Sequence, residues 1–219
     1  MLLVGLTGNI ASGKSAVACL LASHGAVIID ADVLAREAVS PGTPVYRDIV
    51  RRWGEEVLAP DGVLDRAALR ERVFSDQSQL EELNRIVHPE VTRRRDRLVA
   101  EARARGERIA VCDIPLLFER RLADEFERII LVDAPRPVRL ERLVRERGLR
   151  ETEAMAMIAS QMPADLKRAR ADFVIDNVGT HDDLERAVNM VWTALSETAD
   201  EHARFATPIA SLTPPSAVR

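Results

Sequence analysis

Leu2-Leu3-Val4-Gly5-Leu6-Thr7-Gly8-Asn9-Ile10-Ala11-Ser12-Gly13-Lys14-Ser15 is the stretch on which the fold turns. Its first residues form an apolar run of strand length. From Lys14 onward, Val17, Leu20 and Leu21 share a helical face that Gly25 closes. Between strand and helix stands the pattern Gly-x4-Gly-Lys-Ser. In that context it is a cradle for phosphate. Gly8 and Gly13 permit backbone angles that a side chain would obstruct, the loop amides point inward, and the helix start adds positive potential. Lys14 extends to the β- and γ-phosphates of ATP, and Ser15 offers its hydroxyl to Mg²⁺. A plain glycine turn before a helix would account for Gly8 and Gly13 but not for Lys14-Ser15.

Outward from this unit, Ala26-Val27-Ile28-Ile29 is a second strand, so strand, helix and strand imply a parallel sheet. Further strands are expected at 108–113, 129–133 and 173–175, giving a three-layer α/β/α fold on a five-stranded parallel sheet. Helices are expected at 32–39, 44–53, 66–74 and 80–105, separated by Pro41-Gly42-Thr43-Pro44 and the turn Pro60-Asp61-Gly62. Residues 32–106 therefore read as a helical insertion for the substrate. Helices are expected at 138–147, 152–161 and 164–171, a lid over about 136–165, and a last helix at 183–201. One P-loop domain is expected over 1–204, and the Pro-, Ser- and Thr-bearing tail 205–219 is expected to be disordered.

Composition narrows the function classes. The chain has 219 residues, of which 47% are hydrophobic and 30% charged, with a net charge of −4. That fits a soluble enzyme and leaves no overall basic field for nucleic acid. No stretch approaches the ~20 apolar residues of a membrane span, and the N-terminal apolar run has no basic leader and stops at Gly8. Cys19 and Cys112 fall in helix and strand patterns and are expected to be buried free thiols, which favours a reducing cytoplasm. No obligate protein partner is indicated.

Two sets of charged residues face the loop in this reading. Asp30 and Asp32 end the second strand, where parallel sheets place ligands. Asp32 is expected to orient an acceptor hydroxyl and take its proton, whereas Asp30 suits an N-cap. Asp113 ends the next strand and reads equally as a holder of Mg²⁺-bound water or as a polar strand end. Arg139, Arg142, Arg145, Arg147 and Arg150 crowd one segment after Pro135 and Pro137, the place for a lid whose arginine steadies a transferred phosphoryl group. A guanine-reading Asn-Lys-x-Asp is absent, and Asp113 is followed by Ile114-Pro115 rather than by a glutamate. A GTPase or motor ATPase is therefore disfavoured. A small-molecule kinase fits best, with a kinase of another nucleoside or sugar and a non-catalytic ATP-binding regulator as the alternatives.

In order and spacing, seven pieces of sequence resemble the dephospho-coenzyme A kinase family over most of the chain. They are residues 6–15; Asp30-Ala31-Asp32-Val33-Leu34-Ala35-Arg36; Leu83-Asn84-Arg85-Ile86-Val87-His88-Pro89; Pro115-Leu116-Leu117-Phe118-Glu119; and Arg142-Leu143, Gln161 and Asp176-Asn177-Val178-Gly179. The resemblance implies ATP-dependent phosphorylation of the ribose 3′-hydroxyl of dephospho-coenzyme A, the last step of coenzyme A synthesis, with Mg²⁺. It casts Asp32 as the base and Arg142 as the lid arginine, with the loop from Gly8 through Ser15 and Ala16 on ATP. It casts Thr7 as a substrate contact beside the loop. It further implies that His88, Pro89, Leu116, Leu117 and Phe118 belong to the acceptor pocket, and Asn177 and Gly179 to the adenine pocket. The chain departs from the family pattern in having Ala16 where Thr is frequent and Asn9 and Ala11 where Gly is favoured.

Overall fold

The structure, a computed structural model, describes residues 1–74 and 76–206; most of the expected tail, 207–219, lies outside the described residues. Five strands make one parallel sheet: β1 (Leu2–Gly8), β2 (Val27–Asp30), β3 (Ile109–Asp113), β4 (Arg128–Asp133) and β5 (Phe173–Asp176), in the order β2-β3-β1-β4-β5. The helices are α1 (Lys14–Ser23), α2 (Ala31–Ala38), α3 (Pro44–Trp53), α4 (Arg66–Phe74), α5 (Gln77–Ala104), α6 (Arg136–Arg145), α7 (Glu151–Ala159), α8 (Ala164–Arg168) and α9 (His181–Ala206).

The pleat of β1 explains the layers. Leu2, Val4 and Leu6 point to one face, where they pack with Val17 and Leu21 of α1 and with Leu184, Val188 and Leu195 of α9. On the other face Ile29, Cys112 and Ile129 meet Leu34 and Ala38 of α2, Val91 of α5, and Leu117 and Phe118 from the segment after β3. A sheet covered on both faces reads as near-continuous apolar runs, which is why the strands were legible. One expectation is corrected: Cys112 is buried but Cys19 is exposed, both as free thiols. In α1 the inward face is carried by Val17, Ala18 and Leu21, and Cys19 falls between them on the outward side.

The helices between β2 and β3 pack around a core of their own, with Val45, Ile49 and Trp53 of α3 against Leu69 and Val73 of α4. Thr43 starts α3 by accepting a hydrogen bond from the Tyr46 amide at 3.1 Å, with Pro44 in the first turn. A lone antiparallel bridge, Leu58 to Leu64, closes the turn at 60–62. α5 runs through Pro89, which lacks the amide that would bond the preceding turn.

Register brings the site together. Leu6 of β1 stands opposite Asp113 of β3, Asp113 opposite Asp30 of β2, and Gly8 opposite Val132 of β4. The carboxyl ends of these strands thus open on one edge, where open α/β sheets hold ligands.

Candidate active site

The loop between β1 and α1 is shaped by lack of space as much as by sequence. A Cβ on Gly8 would stand 2.6 Å from both Ser12 Oγ and the Val132 carbonyl. Gly13 holds φ 91°, and a Cβ there would also overlap the Asn177 amide. No side chain caps α1, so its first amides stay open to an anion. The loop is tied from outside instead. Arg142 donates to the Ala11 carbonyl at 3.1 Å and to the Asn177 carbonyl at 3.0 Å. The Asn177 side chain donates to the Ser12 carbonyl at 2.9 Å, and the Ile10 amide donates to Gln161 Oε1 at 2.7 Å.

In front of the loop lies a cavity of about 540 Å³. One wall is Gly8 through Ser15. The facing wall comes from α2 and α5, with Asp32, Asn84, Val87 and His88, and the floor from Ile114, Pro115 and Leu116 after β3. Arg120, Arg147 and Gln161 also line it. Lys14 is ion-paired with Asp113, which is 3% exposed. Burial pushes the Asp113 carboxyl above its ordinary value. The Lys14 ammonium pulls it back, and the charges of Asp30 and Asp32 push it further.

The two carboxylates at the end of β2 part company. Asp30 caps α2, accepting from the Asp32 amide at 2.7 Å and the Val33 amide at 3.1 Å. Asp32, one step further, turns to the cavity and makes no hydrogen bond through its carboxylate among the described residues. His88 faces it from α5. Burial, and then the charge of Arg120, push the His88 imidazole down to about 4, so it is neutral at pH 7.

The structure therefore brings the loop, Lys14, Ser15, Asp32, His88 and Leu116 to one cavity. It does not bring Thr7 there: that side chain is fully buried and donates to the Pro115 carbonyl at 3.1 Å. Leu117 and Phe118 point into the core, and Pro89 and Ala16 are exposed away from the cavity wall. Arg142 and Asn177 stand behind the loop, and Gly179 packs against Asp183 at the start of α9. Of the lid arginines it is Arg147 that reaches the cavity wall, while Arg139 is buried and donates to the Ala134 carbonyl at 2.9 Å. Sequence reasoning missed Arg120 as a wall residue. It sits beside Glu119 and Arg121, and a charged triplet after an apolar run carries no sign of which member turns inward.

Among the described residues no group of three or more His, Cys, Asp or Glu side chains could hold a metal unaided. Mg²⁺ carried by a nucleotide takes one or two protein oxygens beside phosphates and water. The Ser15 hydroxyl, in the cavity wall, and the Asp32 and Asp113 carboxylates supply such oxygens.

A family model described as dephospho-CoA kinase matches residues 2–183. The chain is 49% identical to the dephospho-CoA kinase of Thermobifida fusca over 89% of its length and 96% of the relative's. It is 46% identical to that of Streptomyces avermitilis over 92% and 97%. Among solved structures, the TT1252 protein of Thermus thermophilus superposes with a TM-score of 0.76 at 39% identity, covering 89% of this chain and 97% of that one. Dephospho-CoA kinase from Campylobacter jejuni, at 24% identity and TM-score 0.68, covers 90% and 98% and shares the fold.

Proposed function

The chain belongs to the dephospho-CoA kinase family, and from that premise we propose that Asp32 is the group that aligns the acceptor hydroxyl and takes its proton. The protein is a phosphotransferase that moves the γ-phosphoryl group of ATP to the ribose 3′-hydroxyl of dephospho-CoA. That activity displaces the readings as another small-molecule kinase or as an ATP-binding regulator.

One observation carries the assignment of Asp32: its carboxylate, with no hydrogen bond among the described residues, lies across the cavity from the uncapped start of α1 and from Lys14. A carboxylate held there can receive a proton from a hydroxyl pointed at the γ-phosphate. Lys14 exchanges its partner Asp113 for phosphate oxygens when ATP binds, and the loop amides hold the rest of the triphosphate. Ser15 and the Asp113 carboxylate would hold Mg²⁺, which when bound offsets charge on the phosphates. Arg147, on the cavity wall, steadies the moving phosphoryl group. Arg142 does so indirectly by fixing the loop, and with Asn177 and Gly179 it borders the adenine side. His88 and Leu116 line the acceptor side; Thr7, Pro89, Leu117 and Phe118 shape that side from behind.

We place the reaction in the cytoplasm, with no nucleic acid and no obligate protein partner. The two free thiols and the net charge of −4 support this, and no described helix is long and apolar enough to cross a membrane.

The test is a pair of substitutions. Asp32→Asn keeps the size and loses the base, so turnover is expected to fall by roughly 10²–10⁴ with ATP binding retained. Asp30→Asn is expected to be mild, because Asn caps a helix about as well as Asp. Wild-type turnover in Asp32→Asn would remove the assignment, and an inactive Asp30→Asn beside it would move the base to Asp30.

A further inference from the structure

A second cavity, of about 290 Å³, adjoins the first. Ala31, His88, Val91, Ile114 and Arg120 belong to both walls, so the two are compartments of one cleft. The side cavity adds Thr92, Arg95 and Leu122. Apart from Arg120, its charges are already matched: Arg95 is paired with Glu125 at 2.5 Å and with Asp96 at 2.8 Å. His88 is neutral at pH 7, as argued above. What remains is an uncharged chamber with apolar walls from Val91, Ile114 and Leu122, and a hydroxyl from Thr92.

Arg120 differs from Arg95. It stands where the two compartments meet and feels the charge of Asp32, yet closes no ion pair or hydrogen bond through its guanidinium among the described residues. A partly desolvated, unmatched guanidinium calls for an anion. Asp32 lines the first cavity and not the second, so the side cavity is where Arg120 can meet an anion away from the charge of Asp32.

The acceptor has this sequence of groups. Its ribose hydroxyl must reach Asp32, its 5′-diphosphate follows, and an uncharged arm with amides and methyl groups comes last. Resting on the activity assigned above, we propose that Arg120 binds the diphosphate of dephospho-CoA and that the side cavity receives its pantetheine arm. Arg120 and Thr92 then determine which adenosine-bearing molecule is accepted, while the loop determines the donor.

Steady-state kinetics on the full chain tests this, with dephospho-CoA and ATP varied separately and 4′-phosphopantetheine as a competing probe. In Arg120→Ala and in Arg120→Gln, which keeps length without charge, KM for dephospho-CoA should rise about tenfold to hundredfold, as for a lost charge-assisted hydrogen bond. KM for ATP should move less than about threefold. Thr92→Trp fills the side cavity from an exposed position; it should raise KM for dephospho-CoA and weaken competition by 4′-phosphopantetheine. An equal rise in both KM values, or a rise for ATP alone, would place Arg120 on the donor. Unchanged KM for dephospho-CoA in either Arg120 variant would remove its role, and undiminished competition in Thr92→Trp would remove the arm from the side cavity. Absence of dephospho-CoA turnover in the wild-type chain would instead overturn the activity itself, a result that no Arg120 variant can mimic.

Discussion

Ala11 shows how much the loop asks of single residues. It holds φ 59°, the left-handed region in which a Cβ crowds the following carbonyl. Its carbonyl is fixed there by Arg142, so the strain is held by a contact from outside the loop. Ala11→Gly should relieve it, stabilising the protein by about 1 kcal/mol and raising Tm by about 2–4 °C, with turnover kept. Calorimetry of the two proteins decides it; a lower Tm would mean that the glycine's freedom in the unfolded chain outweighs the relief. At this scale the sequence was informative where chemistry is tied to spacing. Gly8, Gly13, Lys14 and Ser15 were assigned from spacing, and the division between Asp30 as cap and Asp32 as cavity residue followed from their order at a strand end. It was uninformative for Leu117 and Phe118, since an apolar run after a strand reads alike whether it lines a pocket or fills a core.

The short helix α8 is anchored by a buried ion pair, besides the pairing of Arg168 with Asp133 and Asp176. Five residues are too few to be helical alone. Lys167 is wholly buried and its ammonium lies 2.7 Å from Glu119 Oε1, which also accepts from the Met162 amide at 3.1 Å. Glu119 thereby fastens the segment after the lid to the segment after β3, next to the cavity floor. Glu119→Leu would strand a buried ammonium and should cost about 3–5 kcal/mol, whereas Lys167→Met, which leaves a carboxylate that is 22% exposed, should cost clearly less. Urea unfolding of both variants measures the difference, and equal losses would show that burial of Lys167 is not what makes the pair matter. Sequence patterns found the strands and the helices within a few residues, because period and punctuation are local. They could not find this pair, whose members lie on separate elements brought together only by the sheet.

For the molecule as a whole, the two thiols report on cooperativity. Cys19 is exposed, while Cys112 sits in β3 between β1 and β2, where burial pushes its thiol up to about 12. One thiol per chain should therefore react with a thiol reagent under native conditions, and the second only as denaturant reaches the global midpoint. Native labelling of Cys112 would show that β3 opens without the rest. The ties on the phosphate loop have a related consequence for how the protein comes into being. Arg142, Gln161 and Asn177 hold a loop whose residues precede them by more than half the chain. On the ribosome the glycine loop emerges well before these partners and waits, unclamped, for the lid and β5 to be translated. The loop is thus synthesised before the residues that finish it, and a chain cut short before Asn177 carries the motif without the clamp that sets its shape.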